Sequence, residues 1–179
     1  MELPVPDPPL TDGVVTLRPP REEDLRAIEQ GIADPDVVRW FGPSDYSAWE
    51  VLELNRSRWA DGTGATFSVC DHSDACLGHV WVNLADSKRG SVGYWLLPDA
   101  RGKGYATRSV HLISRWALGE VGLARLSLFT GASNERSLRV AERSGYVKEG
   151  VLRSYAEVGG RRVDNVVFSL LPSDLASPG

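Results

Sequence analysis

The stretch from Ser91 to Gly119 constrains this chain most. It opens with a β-type run, Ser91-Val92-Gly93-Tyr94-Trp95-Leu96-Leu97, closed by Pro98. Gly93 lies inside that run, which suggests a bulge or a close backbone approach. Arg101-Gly102-Lys103-Gly104 follows, then a helical pattern over 105–119 with Val110, Ile113 and Ala117 on one face. A glycine pair between a strand and a helix lets the backbone turn tightly and expose its N–H groups. The helix start adds free donors and the positive end of its dipole, so the junction is an anion site. Arg101, Lys103 and Arg108 add charge, and a phosphate or pyrophosphate fits. The segment is not a G-x4-G-K-[ST] loop. Nor is it a G-x-G-x2-G fingerprint, because Thr107 stands where the third glycine belongs.

The remaining pattern alternates strands and helices. Residues 1–12, with several prolines, read as an extended arm. Gly13 to Arg18 is a short β-type run ended by Pro19-Pro20. Arg21-Glu22-Glu23-Asp24 opens a helix with Leu25, Ile28 and Ile32 on one face, its acids placed where the macrodipole favours them. Residues 34–44 read as a loop carrying Trp40 and Phe41. A second helix, about 46–60, puts Ala48, Leu52, Asn55 and Trp59 on one stripe. Strands follow at 65–70, 76–84 and 91–97. Within 76–84, Val80, Val82 and Leu84 alternate with His79, Trp81 and Asn83, giving one apolar face and one with polar handles. After the 105–119 helix come a strand at 125–130 and a helix at about 134–144. That helix takes Ser133 or Asn134 as its N-cap and Gly145 just past its end. Strands at 146–152 and 162–171 turn at Gly159-Gly160, and 172–179 is a tail.

The order is thus β α α β β β α β α β β, a mixed α/β sheet covered by helices. About seven strands, mostly antiparallel, and four helices form a single domain over 13–171. Parallel pairing is expected only around 91–145.

Composition narrows the function. The 179 residues are 42% hydrophobic and 25% charged, with a net charge of -4. That balance argues against general affinity for nucleic acid or anionic membrane. No apolar run approaches a membrane span, and the N-terminus has no signal-peptide pattern, so the expected location is cytoplasmic. Cys70 and Cys76 lie near His72 and His79, but without a C-x2-C or H-x3-H element. They read as small apolar residues flanking the hairpin loop 71–75. No metal is expected, and in a reducing cytosol no disulfide.

Arg101-x-x-Gly104-x-Ala106, after a β-run ending at Leu97, resembles the [RQ]-x-x-G-x-[GA] pyrophosphate loop of the GCN5-related N-acetyltransferase (GNAT) superfamily. Val15-Thr16-Leu17-Arg18-Pro19 with Glu23-Asp24-Leu25 resembles its first strand and helix, and Gly93-Tyr94-Trp95-Leu96 its fourth strand. Asn134-x-x-Ser137 with Ala141-Glu142-Arg143-Ser144-Gly145-Tyr146 is similar to its fourth helix and next strand. Glu149 to Arg153 with Val163 to Phe168 resembles the RimJ/RimL-type branch, which acetylates ribosomal-protein N-termini. The resemblance spans about 13–171.

This resemblance implies an acetyl-CoA-dependent N-acetyltransferase acting on a primary amine, either a protein N-terminus or a small amine. A non-catalytic CoA-binding or sensing module is the alternative. It implies pantetheine along Trp95, Leu96 and Leu97, and the pyrophosphate on the backbone of Gly102, Lys103, Gly104, Tyr105, Ala106 and Thr107. Arg101 and Lys103 would offset the charge. Asn134, with Ser137 one turn on, would reach the pantetheine arm. The tyrosine that many members carry seven residues after that asparagine is Ala141 here. Ser137 then becomes the candidate partner of the leaving thiolate. The carboxylate expected after Leu152-Arg153 falls on Ala156, with Glu157 one residue later. Glu157, His79 and Tyr94 are the other catalytic candidates. The acceptor would enter near Trp40, Phe41 and Trp49. A homodimer is possible, with the terminal strands as pairing edges.

Overall fold

A computed structural model describes residues 3–175. Eight strands form one sheet: β1 (Leu10–Thr11), β2 (Thr16–Arg18), β3 (Gly64–Cys70), β4 (Cys76–Leu84), β5 (Arg89–Leu96), β6 (Arg125–Gly131), β7 (Val147–Val158) and β8 (Arg161–Leu170). Their spatial order is β1-β2-β3-β4-β5-β6-β8-β7. Only β5 and β6 run parallel. The helices are α1 (Leu25–Ala33), α2 (Pro35–Phe41), α3 (Ala48–Asp61), α4 (Tyr105–Gly119), α5 (Glu135–Arg143) and α6 (Pro172–Leu175). The last four residues of the 172–179 tail lie outside the described residues.

The alternation read from β4 sorts the two faces. Val80 and Val82 join Val92, Val110, Ile113, Trp116, Leu126 and Phe168 in the main core, under α4. The opposite face meets α1 and α3 with polar groups. Thr66 Oγ1 donates to Asn55 Oδ1 at 3.0 Å, Arg58 Nη1 donates to Asn83 Oδ1 at 3.1 Å, and Ser68 Oγ donates to Asp24 Oδ2 at 2.7 Å. Asp24 also takes a fork from Arg18 Nη1 and Nη2 at 2.8 and 2.9 Å, and the Arg21 N–H at 2.9 Å. This buried ion pair ties β2, the start of α1 and β3 together.

The fold departs from the sequence reading in four places. There are eight strands rather than about seven, because Leu10–Thr11, at the end of the expected arm, pairs with Thr16–Leu17. Residues 35–41 are helical: Asp34 caps α2 by accepting from Asp36 N and Val37 N, both at 3.1 Å, and Pro35 takes the first position. One turn and a half carries too little periodicity to show in sequence. Strand β7 runs on to Val158, past a register shift between Leu152 and Ala156 where Ser154 adopts φ 54°. The shift breaks the alternation that would have marked it. Finally, Pro172–Leu175, in the expected tail, forms a short helix, which with α2 makes six helices rather than four. Of the two readings of Gly93, the structure shows the close approach and not the bulge: register with β4 is continuous, and a Cβ there would strike the Trp81 ring.

Burial alone would raise the Asp24 carboxyl. The Arg18, Ser68 and Arg21 hydrogen bonds and the Arg18 charge outweigh it and hold the group below its ordinary value of 3.8. Its contribution to stability is therefore complete above that value and is lost as pH falls through the lowered one. Asp24→Asn removes the buried member of Arg18's two carboxylate partners and leaves only Asp74, which is half-exposed. It should lower unfolding free energy by about 3–5 kcal/mol at neutral pH, measured by urea denaturation.

Candidate active site

Parallel pairing of β5 with β6 extends from Arg89 opposite Arg125 to Val92 opposite Leu128 and stops there. Both strands continue, β5 to Leu96 bonded to β4, and β6 to Gly131 bonded to β8. The sheet therefore opens into a V. A cleft of about 1070 Å³ fills it, lined by Tyr94, Trp95 and Leu96 on one arm and Phe129, Thr130 and Gly131 on the other.

The Gly102–Thr107 junction closes one end of the cleft. Gly104 caps α4 in the left-handed region at φ 82°, and Gly102 has φ 78°. An L-residue pays about 1–2 kcal/mol to sit there. Among the described hydrogen bonds, none uses the N–H groups of 102–107. The next one along, Arg108 N, donates to the Gly104 carbonyl at 3.1 Å. Unpartnered donors at a helix start, beside an open cleft, fit an anion. Gly102, Gly104, Tyr105, Ala106 and Thr107 line it. Lys103 is exposed and does not.

From α5, Asn134 and Ser137 face the cleft, as do Arg136, Arg139 and Arg143. Asn134 Oδ1 accepts from Ser137 N at 3.2 Å, so its oxygen caps the helix and its amide nitrogen is left for a ligand. The structure joins two candidates the sequence treated separately. Tyr94 Oη donates to Ser137 Oγ at 3.1 Å. Burial pushes the Tyr94 phenol up to about 12, against the hydrogen bond to Ser137, so it keeps its proton. With its oxygen receiving that bond, Ser137 can point its own hydrogen at a ligand. Ala141, at the position where many relatives have tyrosine, is fully buried and belongs to the core.

Other expected residues are placed differently. Leu97 lies past the open edge: its N–H donates to the Leu77 carbonyl at 2.8 Å. The Arg101 guanidinium is committed within the chain. Its Nε donates to the Leu96 carbonyl at 3.0 Å, Nη1 to Asp36 Oδ2 at 2.9 Å and Nη2 to Asp34 Oδ1 at 2.5 Å. Glu157 is exposed on β7, while its neighbours Ala156 and Val158 line the cleft; the strand's alternation sends its carboxylate the other way. Trp49 is 48% exposed on α3 and lies outside the cleft lining. Trp40 and Phe41 do line it. Trp40 packs on Gly131 so closely that a Cβ there would collide with the ring, and Phe41 sits edge-on to Trp81 at 5.5 Å.

His79 is 2% exposed and lies behind Trp95, their rings 5.0 Å apart. It borders a separate pocket of about 160 Å³ under α3, not the cleft, and its Nε2 has no partner. Sequence reasoning missed Arg39, Asp36, Arg136, Arg139, Thr130 and Asn165 as cleft residues. The run of arginines at 136, 139 and 143, which share one helical face, was the available signal.

Burial pulls the His79 imidazole down from 6.5 to about 4, with Asp24 opposing weakly and Arg18 assisting. Between those values the unfolded chain takes up a proton that the folded one refuses, so stability falls as pH drops through that window. An NMR titration of the ring should show a midpoint near 4 and no transition near 6.5.

Three comparisons bear on this architecture. The Acetyltransferase (GNAT) domain family matches residues 15–147. An uncharacterized N-acetyltransferase, p20, of Bacillus licheniformis is 26% identical over 169 residues, covering 90% of this chain and 95% of that protein. The spermidine N(1)-acetyltransferase of Escherichia coli K12 is 28% identical over 149 residues, covering 82% of this chain and 80% of that one. The structure of Mycobacterium smegmatis RimJ in complex with CoA-disulfide superposes with a TM-score of 0.82 at 22% identity, covering 94% and 87% of the two chains. A sheet opened at one parallel pair, a glycine-capped helix at its mouth and a matching family pattern over most of the chain agree: the protein belongs to the GNAT family and is an N-acetyltransferase.

Proposed function

We propose that the cleft binds acetyl-CoA and that the chain transfers its acetyl group to an α-amine, of a peptide N-terminus or of a small molecule, in the cytosol. One observation carries this reading: the β5–β6 opening runs directly to the unpartnered N–H groups of 102–107. That combination suits a ligand with an extended, amide-bearing arm and a diphosphate. The arm can pair with the open edge at Gly93 to Trp95, and the diphosphate with the helix mouth. Arg136, Arg139 and Arg143 supply further positive charge along α5. Relatives with CoA bound, such as RimJ, support the same assignment.

Acetyl-CoA supplies a thioester, whose carbonyl carbon the amine attacks and whose thiolate leaves. The chain's own part is to orient and to donate hydrogen bonds. Ser137 Oγ–H, its oxygen receiving the Tyr94 Oη hydrogen bond at 3.1 Å, can donate a hydrogen bond to the leaving thiolate, whose proton then comes from water. The attacking nitrogen must also lose a proton, and the cleft offers no free carboxylate for it. Its acids are Asp36, paired with Arg101, and Glu135, paired with Arg139. Water is the remaining acceptor. Such a site favours an amine that is already partly neutral. An α-amine with pKa about 7.7–8.0 meets this at pH 7, whereas a lysine near 10.4 is neutral less than about one time in two thousand.

Charge points the same way. Five arginines (39, 101, 136, 139 and 143) against two acids line the cleft. A polyamine would find little to compensate its charges there, even though one relative acts on spermidine.

Two experiments test this. Calorimetry with acetyl-CoA should show binding by the native protein. Gly104→Val should weaken it at least about tenfold, since it strains the cap and crowds the donors. A thiol-release assay should then favour a free N-terminal tetrapeptide over the same peptide N-acetylated and carrying one lysine, and over spermidine. Faster turnover of either alternative would overturn the acceptor assignment.

A further inference from the structure

Helix α2 has seven residues and buries none of them. So short a helix does not hold itself together in water. It nevertheless forms a wall of the cleft, contributing Asp36, Val37, Arg39, Trp40 and Phe41. What holds it comes largely from outside. Asp34, the N-cap, is 8% exposed, and its Oδ1 accepts both from the helix N–H groups and from Arg101 Nη2. Asp36, in the first turn, receives Arg101 Nη1, with Arg136 of α5 at 3.7 Å. At the far end, Trp40 leans on Gly131 of β6 and Phe41 on Trp81 of β4.

Arg101 is thus tied at both ends. Its backbone leads into the Gly102–Thr107 junction, and its Nε holds the carbonyl of Leu96, the last residue of the open strand. Its two terminal nitrogens hold the N-terminus of α2. The carboxylates and the Leu96 carbonyl in turn satisfy the guanidinium: its Nε and both Nη atoms are engaged, each with a different residue. Burial alone would raise the Asp34 carboxyl, but the Arg101 hydrogen bond, the helix N–H groups and the Arg101 charge hold it below its ordinary value, so it stays ionised.

We infer that Arg101 is a positioning residue that couples the donor half of the cleft to the acceptor half, rather than a counter-charge for the diphosphate. Resting on the acetyl-CoA reading above, the inference goes beyond it. Ordering the 102–107 junction around an anion restrains Arg101, and Arg101 restrains α2. The wall that carries Trp40 and Phe41, already held by these contacts, then becomes firmer when the acyl donor is in place. An amine would meet a more ordered pocket after acetyl-CoA than before.

Hydrogen exchange of the full chain tests this with CoA as the probe, and needs no knowledge of the acceptor. In the native protein, CoA should slow exchange at the amides of 37–41. In Arg101→Met, CoA affinity should stay within about threefold, well under the 1.4 kcal/mol of a tenfold change, while protection of 37–41 on CoA binding is lost. Arg101→Lys, which keeps a charge but cannot reach Leu96, Asp34 and Asp36 together, should restore only part of it. Asp36→Asn removes one leg at a half-exposed carboxylate and should weaken the protection without changing CoA affinity; it serves if Arg101→Met does not fold. A tenfold or larger loss of CoA affinity in Arg101→Met would put the guanidinium on the diphosphate and overturn the inference. So would protection of 37–41 that persists in Arg101→Met or, if that variant does not fold, undiminished in Asp36→Asn. A native protein that binds no CoA would instead overturn the acetyl-CoA reading itself, and the coupling with it.

Discussion

The structure depends on a strand pairing that is left unfinished. β5 and β6 share four paired positions, Arg89 to Val92 against Arg125 to Leu128, and then separate. Each keeps its other neighbour, so neither strand is lost, but between them an edge lies open inside the sheet. Side chains hold the arms apart. Tyr94 reaches across to Ser137 on α5, and Trp40 fills the space against Gly131. Backbone groups left unpaired in a folded interior carry a cost unless water or a ligand satisfies them. The V therefore exposes a strand edge within the sheet, and α4 begins at its mouth.

Charge is arranged around that cleft with little to spare. The cleft's carboxylates are already answered by Arg101, Arg136 and Arg139. The Tyr94 phenol is held protonated and hydrogen-bonded to the serine. The histidine that a pH argument would choose as base is neutral, buried and on the wrong side of Trp95. On the proposed reading, what remains is a site suited to gripping anions and donating hydrogen bonds, with few groups to accept a proton. That is a reasonable division of labour for acyl transfer to an amine that sheds its proton readily to water.

The sequence showed the helices and strands that rest on long periodicity. The stripe Val110, Ile113, Ala117 and the alternation in β4 both survive as faces of the folded chain. Short or interrupted elements were hidden. α2 offered only Asp34-Pro35 as a cap signal, and the far half of β7 was masked by the Ser154 kink. The glycine junction was legible as a tight turn into a helix with free N–H groups because its chemistry is local: backbone freedom and a helix start. Arg101 belonged to that motif by position, yet its side chain turned to Asp34 and Asp36, more than sixty residues away in sequence.

By itself, then, the chain's order of residues determined which groups could exist where a helix meets a strand. Those features follow from neighbours within a few positions. Which side chains meet across the cleft was decided only by tertiary packing. Tyr94 on Ser137, Trp40 on Gly131, Glu157 turned outward and His79 sealed behind an indole all depend on how far two strands diverge and on the face each residue shows after every bulge. One residue of register reverses a face, and no local pattern encodes the distance between strands that part company.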